Sequence, residues 1–207
     1  MRERDTKVEP PLVAGRTCGS CNVCCVALTI DDPEMQKLQG YRCKNARPDN
    51  SCSIYENRPQ TCRTFFCGWR RMKWIREPLR PDRSGVLVRQ HNIVSKEDGT
   101  HREGVIFTLL TNAALKAEGL AESVAAAVAA DVPVFLHVPG PPGHTASQVQ
   151  INEALQDAVI TMDKPAVLKI LGRIRAIGKS ARHERIVLAR RDPPGRDPPG
   201  SGHSPNA

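Results

Sequence analysis

The chain has 207 residues, of which 40% are hydrophobic and 25% are charged, and its formal net charge is +8. This composition is typical of a folded globular protein with one or two domains. No apolar run reaches the roughly 18 to 20 residues of a membrane-spanning helix, and the polar N-terminus has no hydrophobic signal-peptide region. Membrane proteins and conventionally secreted proteins are therefore disfavoured, and we expect a cytoplasmic protein with no transmembrane segment.

Composition divides the chain into five segments. We expect the polar residues 1–15 to form a flexible leader, and residues 16–83, which we call the cysteine module, contain every cysteine. We expect a small α/β portion with antiparallel strands in residues 84–146 and helices in residues 147–191. The Pro/Gly-rich residues 192–207 cannot bury a core and are expected to be disordered. The predicted fold class is α+β: a metal-stabilised cysteine module with short helices, then a small antiparallel sheet with helices and a C-terminal helical segment.

Short helices are predicted inside the cysteine module. Asp32 can cap a helix that has Pro33 at its first position, and Gly40 suits the position after its end. A second helical turn is predicted from Pro59, and residues 69–75 have a helical pattern. None of these elements is long, so the module has little regular structure to stabilise it.

Strand patterns begin after the module. The apolar runs in residues 85–95 and 104–111 are separated by a turn at residues 97–99, which predicts an antiparallel pair of strands. An alanine-rich helix is predicted from Asn112 to about residue 130. A further short strand is predicted in residues 133–138.

The C-terminal segment has helical periodicity. Residues 151–162 place their apolar side chains on one face, and a second helix is predicted from residue 163 or 164 to about Arg190. The apolar face thins after about Gly178, so we expect the first half of that helix to pack and the second half to project. Residues 164–191 carry nine Lys/Arg and one Glu. Nucleic acid, an anionic surface or an acidic protein could bind there, although a solvated helix face is the simpler interpretation.

The N-terminal group of cysteines has the spacing of metal ligands. Its members are Cys18, Cys21, Cys24 and Cys25. A Cys-x-x-Cys step lets two sulfurs converge on one ion, because the turn between them bends back on itself. Neighbouring side chains such as those of Cys24 and Cys25 tend to point apart, so the two thiols could serve different centres, or one could be a ligand and the other a packing or reactive thiol.

The second group supplies the remaining thiols. Its members are Cys43, Cys52, Cys62 and Cys67. Four plus four thiolates would complete two closed tetrahedral zinc sites. The first three cysteines also match the start of the bacterial ferredoxin spacing, so an iron–sulfur cluster is an open alternative. Two other interpretations are eight buried, reduced cysteines and a disulfide framework, which would need export from the cytoplasm.

The residues around the second group suit a shielded anionic centre. The apolar side chains expected to exclude water are Ile54, Tyr55, Phe65, Phe66 and Trp69. The cations expected to offset thiolate charge and donate hydrogen bonds to sulfur are Arg58, Arg63, Arg70 and Arg71.

The two motifs together resemble a known family. CGSCNVCC, residues 18–25, followed by CSIYENRPQTCRTFFC, residues 52–67, is similar to the YkgJ cysteine-cluster family, a CxxCxxCC domain described as chelating zinc or iron. The resemblance implies metal binding with no assigned biological role. A related motif occurs in flagellin lysine methylases, which makes a metal-dependent redox or methyl-transfer enzyme the alternative function.

Other candidate sites are weaker. WRRMKW, residues 69–74, is similar to the basic end of a homeodomain recognition helix and allows a nucleic-acid contact. Among the scattered histidines His91, His101, His137 and His144, the last is the best placed for a site. No Walker, dinucleotide, HExxH or GxSxG motif is present, so no catalytic residue is identified. The expected partner is a metal ion, and the sequence is also compatible with a protein partner.

Overall fold

A computed structural model of the chain describes residues 12–94 and 99–189. Most of the expected leader, residues 97 and 98 of the predicted turn and the tail from residue 192 lie outside these residues. The strands are β1 (Ile30–Asp32), β2 (Met35–Lys37), β3 (Val86–Val94), β4 (His101–Leu109), β5 (Val134–Val138) and β6 (Ser147–Gln150). The α-helices are α1 (Cys24–Ala27), α2 (Gln60–Thr64), α3 (Gly68–Arg71), α4 (Pro81–Ser84), α5 (Leu120–Ala129), α6 (Asn152–Ile160) and α7 (Lys164–Ser180). The chain is therefore an α+β protein with a C-terminal helix, as predicted.

A four-stranded sheet in the order β3-β4-β5-β6 forms the centre of residues 86–189, which we call the body. The predicted antiparallel pair is confirmed as β3 and β4, with Val86 opposite Leu109. The sheet is mixed rather than purely antiparallel, because β5 runs parallel to β4. The helical crossover through α5 makes this possible, since parallel neighbours need a long connection. Strand β6 completes the sheet, although the sequence placed residues 147–150 in the helical segment.

One face of this sheet carries the main core. Alternate side chains on the strands point to it, including Val88, Phe107 and Leu136, each almost fully buried. Helices α5, α6 and α7 pack on one another and cover this face. The apolar period predicted for α6 is confirmed, because Leu155 and Ala158 are buried.

Two helices have different bounds in the structure from those predicted. The alanine-rich helix begins with a 3-10 turn, Ala113–Lys116, and α5 starts only after Gly119, whose φ of 84° breaks the helix. The helix predicted to extend to about Arg190 ends at Ser180. The chain then returns to the body, where Glu184 accepts a hydrogen bond from the Thr145 amide at 2.7 Å. The projecting arm predicted after Gly178 is therefore wrong for this stretch, since backbone pairing holds it where apolar contacts do not.

The cysteine module differs from its prediction at its first element. Asp32 and Pro33 do not open a helix; Asp32 ends β1, and Pro33 and Glu34 form the turn of the β1–β2 hairpin. The Asp32 carboxylate accepts a hydrogen bond from the Glu34 amide at 2.9 Å, which closes the turn. In β2, Met35 and Lys37 are buried and Gln36 is exposed, the alternation of a strand. The helical turn predicted from Pro59 is confirmed as α2.

The last third of the module packs onto the body. Trp69, Ile75 and Leu79 are buried in the same core cluster as the sheet. Close packing requires Gly68 at the start of α3, because a Cβ there would lie 2.7 Å from a methyl carbon of Val88. The helix predicted for residues 69–75 is limited to the four residues of α3. None of the helices in the described ranges is long and apolar enough to cross a membrane.

Candidate metal centre

The first cysteines lie in a tight turn that leads into a single turn of helix. The Cys21 amide donates to the Cys18 carbonyl at 2.8 Å, and Gly19 adopts a φ of 50°, which side-chain-bearing residues rarely do. Helix α1 then begins at Cys24, and the Cys25 amide donates to Asn22 at 2.8 Å. The Cys-x-x-Cys turn expected from the sequence is present.

Cys24 and Cys25 stand side by side on α1. Successive helical residues are rotated by about 100°, so their side chains leave the helix in different directions. A hydrogen bond between the two thiols raises the pKa of Cys24 and lowers the pKa of Cys25 to about 6. The positive charges of Lys37, Arg58 and Arg42 also lower the pKa of Cys25. Cys24 therefore keeps its proton and donates it to the Cys25 sulfur, on the side where the cations lie.

Cys67 lies near the first turn although it is far away in sequence. Burial raises the pKa of its thiol, and the charges of Cys18 and Cys21 raise it further. Two arginines connect these segments. Arg16 donates to the Trp69 carbonyl at 2.7 Å, and Arg80 donates to the Cys18 carbonyl at 2.8 Å.

Cys43, Cys52 and Cys62 lie on the Cys25 side. The Cys43 amide donates to the Cys25 carbonyl at 2.9 Å. A β-bridge between Ala46 and Cys52 brings the backbone at Cys52 next to the segment that follows Cys43. Burial raises the pKa of Cys62, and the charges of Cys25, Cys43 and Cys52 raise it further.

Lys37 supplies a buried positive charge near the thiols of Cys25, Cys43 and Cys62. Its Nζ donates to three backbone carbonyls, those of Val26, Leu38 and Tyr41, at 3.0 to 3.1 Å. Burial lowers the pKa of Lys37, and the nearby thiolate charges, that of Cys43 first, oppose this shift. The sequence did not indicate this role, because a single lysine in a strand carries no spacing signal.

The arginines predicted to serve the thiolates take different positions. Arg58 stacks 3.8 Å from the Tyr55 ring and lies near enough to Cys25 to lower its pKa. Arg70 and Arg71 lie over the ring of Phe66, at 5.8 and 5.6 Å. Arg63 is in the last turn of α2. Arg42, which the sequence did not single out, acts on Cys25 together with Arg58.

The apolar residues predicted to shield the centre are only partly suited to it. Tyr55 is 58% exposed, so it excludes little water. Trp69 is buried, but its indole donates to the Glu77 carbonyl at 3.0 Å within the body-facing part of the module. Ile54, Phe65 and Phe66 are half-buried, so they could exclude water only in part.

All eight cysteines are free thiols in the structure. Among the residues that the structure describes, no three His, Cys, Asp or Glu side chains form a group that could hold a metal ion. The eight thiols therefore lie in one module, but the structure does not bring three of them together as metal ligands. As a donor set, eight thiols with adjacent cations fit zinc, iron or an iron–sulfur cluster, which thiolates prefer. Closing a site would require these short elements to draw their side chains together.

The four histidines considered from the sequence lie on or beside the central sheet. They are His91 in β3, His101 in β4, His137 in β5 and His144 in the following loop. The ring nitrogen of His137 is 3.3 Å from the Thr108 hydroxyl. Burial lowers the pKa of His137 to about 4, and the charge of Arg89 adds to this effect. His144, the best-placed histidine by sequence, contacts the Pro142 carbonyl at 3.0 Å.

The basic C-terminal helix is not a uniform cationic face. Arg175 is 7% exposed, and its Nε has no hydrogen-bond partner within the described part of the chain. Lys164 pairs with Glu122 at 2.7 Å, and Lys179 donates to Asn112 at 2.9 Å. These contacts support the interpretation of α7 as a packed helix with a solvated outer face.

Comparisons with known proteins found no relative of this chain. No family model, no curated protein and no solved structure matches this chain.

Proposed function

We propose that this chain is a cytoplasmic metal-binding protein that coordinates zinc or iron through clustered cysteine thiolates, like the YkgJ-type domain it resembles. The observation that carries the proposal is the gathering of eight free thiols in one module, where they influence one another's ionisation. Free thiols in a reducing compartment serve metal or redox chemistry far more often than disulfides.

The charge around the thiols supports metal binding. Thiolates crowd negative charge, and a divalent cation is the most direct way to neutralise it. Burial and neighbouring thiolates raise the pKa values of Cys21, Cys62 and Cys67, so these groups hold their protons when no metal is bound. A metal ion would displace those protons and convert the repulsion among the thiolates into coordination.

The weakness of the module as an independent fold also supports the proposal. Its helices and strands are three to five residues long, and most of its side chains from Cys18 to Cys67 are exposed or half-buried. Segments with so little apolar burial are commonly held together by disulfides or metal ions. A structural metal would give the module the stability that its core does not.

Metal analysis of protein purified without oxygen tests the proposal. We expect stoichiometric zinc or iron, with an absorption spectrum that separates colourless zinc from a brown iron–sulfur centre. Cys21→Ser should lower the metal content, whereas His137→Gln, which changes a ligand-type residue in the body, should not. A wild-type protein that holds no metal after purification and reconstitution with zinc, or with iron and sulfide, would contradict the proposal.

A further inference from the structure

The order of the cysteines in the sequence suggests two sets of four, split after Cys25. The fold suggests a different division. Cys24 and Cys25 are adjacent on α1, and Cys24 ends the Cys-x-x-Cys series whereas the Cys25 carbonyl accepts a hydrogen bond from the Cys43 amide, so α1 is a natural boundary between two centres.

The chain before α1 is tied to the segment that contains Cys67. The Val13 amide donates to the Arg70 carbonyl at 2.8 Å, and Arg16 donates to the Trp69 carbonyl at 2.7 Å. Cys18 lies two residues after Arg16, and Cys67 lies two residues before Trp69. The bond from Arg80 to the Cys18 carbonyl, at 2.8 Å, holds the turn in place from the other side.

The chain after α1 is tied to the loops that carry the other three cysteines. Cys43 bonds to the Cys25 carbonyl at 2.9 Å, and the Ala46 amide donates back to Cys43 at 3.0 Å. The β-bridge between Ala46 and Cys52 then connects Cys52 to Cys43 through Ala46.

Interactions between the thiols follow the same division. The charges of Cys18 and Cys21 act on Cys67, whose segment Arg16 holds beside the first turn, whereas the charges of Cys25, Cys43 and Cys52 act on Cys62. Cys24 follows Cys21 at the same Cys-x-x-Cys step that separates Cys21 from Cys18, so it belongs with the first set.

On the basis of the proposed metal binding, we propose that the eight cysteines form two interleaved four-thiolate sites rather than two consecutive ones. The first set is Cys18, Cys21, Cys24 and Cys67. The second set is Cys25, Cys43, Cys52 and Cys62.

This arrangement has a structural consequence. The first site closes a loop that runs from the N-terminal turn to α3, and α3 packs on β3 of the body. The second site joins α1 to the β1–β2 hairpin region and to α2, next to the buried Nζ of Lys37. Each site therefore links segments far apart in sequence, and α1 joins the two sites directly.

Cobalt(II) titration of the full chain under reducing conditions tests the division, because a tetrahedral four-thiolate cobalt site has a characteristic visible spectrum. The wild type should take two Co²⁺ ions in such sites. Cys18→Ser/Cys67→Ser removes two ligands from the first interleaved set and should keep half of the spectral intensity. Cys18→Ser/Cys25→Ser removes the same number of thiols, one from each set, and should abolish the four-thiolate spectrum.

Two consecutive sites would give the reverse pattern and would overturn the inference. A third variant, Cys25→Ser/Cys52→Ser, keeps the test decisive if the first fails to fold: interleaved sites predict half of the intensity, and consecutive sites predict none. Loss of all signal from every double variant would indicate one shared cluster and would also overturn the division. A wild type that takes no cobalt, zinc or iron would instead refute the proposed function itself.

Discussion

The cysteine module and the body are stabilised by different means. The body has two strands of nine residues and a helix of 17, and it supplies most of the side chains in the main core. Up to Cys67 the module has elements of three to five residues, and Met35 and Cys43 are its buried apolar residues there. The body can therefore derive its stability from apolar burial, whereas the module has little to bury.

The hydrogen bonds of the two regions show the same difference. In the body, ladders and helical turns repeat over many residues, so each bond is supported by the next. In the module, single bonds close separate turns, such as Cys21 to Cys18 and Asn57 to Ile54. Isolated turns open at low cost, so cross-links through the thiols would decide whether the module is ordered.

Removal of the proposed metal should have the largest effect, because it would act on the whole module at once. The binding free energy of a structural zinc ion is on the order of 10 kcal/mol, and in metal-stabilised modules this energy is folding energy. We expect chelator-treated protein to be cut by protease between residues 18 and 67 while the body survives. Limited proteolysis with mass spectrometry, before and after zinc is restored, measures this. If both regions resist the protease equally without metal, the comparison between them is wrong.

Truncation of the body core should have the opposite signature. Phe107 is fully buried under the helices, so Phe107→Ala should lower the free energy of unfolding of the body by about 3 to 5 kcal/mol. Metal content below the transition temperature should not change. Phe135→Ala is the matched control, because Phe135 is half-buried on the other face of the same sheet and should cost less. Thermal unfolding with metal analysis on the same samples checks both effects, and metal loss from folded Phe107→Ala would contradict the separation.

A pH effect specific to the body is expected from His137. Burial lowers its pKa to about 4, so between pH 6.5 and about 4 the unfolded chain binds a proton that the folded chain does not. Stability should therefore fall as the pH falls through this window, by up to ~3 kcal/mol in total. His137→Gln should remove this part of the pH dependence, and Arg89→Gln should reduce it, because the Arg89 charge contributes to the shift. Denaturant unfolding of the variants at several pH values measures the difference. An unchanged slope in His137→Gln would refute this assignment.

Much of the body could be predicted from sequence because its patterns are long. The helical spacing of the apolar side chains correctly predicted that Leu155 and Ala158 are buried. Val167 and Leu171 in α7 are buried as well. The two apolar runs of β3 and β4 predicted their antiparallel pairing. Over segments of this length, assigning a helix in place of a strand, or a strand in place of a helix, would expose several apolar residues. The correct secondary structure is therefore the one that fits the sequence best.

The module was harder to predict because its signals are short. Asp32 and Pro33 suit a helix start, but the same residues suit the turn of a hairpin, and the pairing of β1 with β2 decides between them. The division of the cysteines depends on contacts such as Arg16 with Trp69, which join residues 53 positions apart. No local spacing encodes such contacts. The family resemblance, metal identity and partners stay predictions for the same reason.

The smallest expected effect comes from two glycines in α7 that differ only in what surrounds them. A Cβ at Gly178 would lie 3.0 Å from a methyl carbon of Val138 and 3.3 Å from the Ser147 Cβ, whereas at Gly172 the nearest atom is a Leu115 methyl carbon at 3.7 Å. Alanine is favoured over glycine in a helix by up to about 1 kcal/mol, so Gly172→Ala should stabilise the body by a fraction of that. Gly178→Ala should lose this gain to overpacking and destabilise by ~1 kcal/mol or more, because α7 must move away from β5 and β6.

Both alanine variants should leave any metal content unchanged, since both positions lie in α7, which belongs to the body. Paired denaturant titrations resolve the sign of each change. Equal stabilisation by both substitutions would mean that α7 does not pack on Val138 as closely as the structure has it. The close approach of α7 to the sheet would then not be a source of the body's stability, and the contrast with the module would depend on the strands and the remaining helix contacts alone.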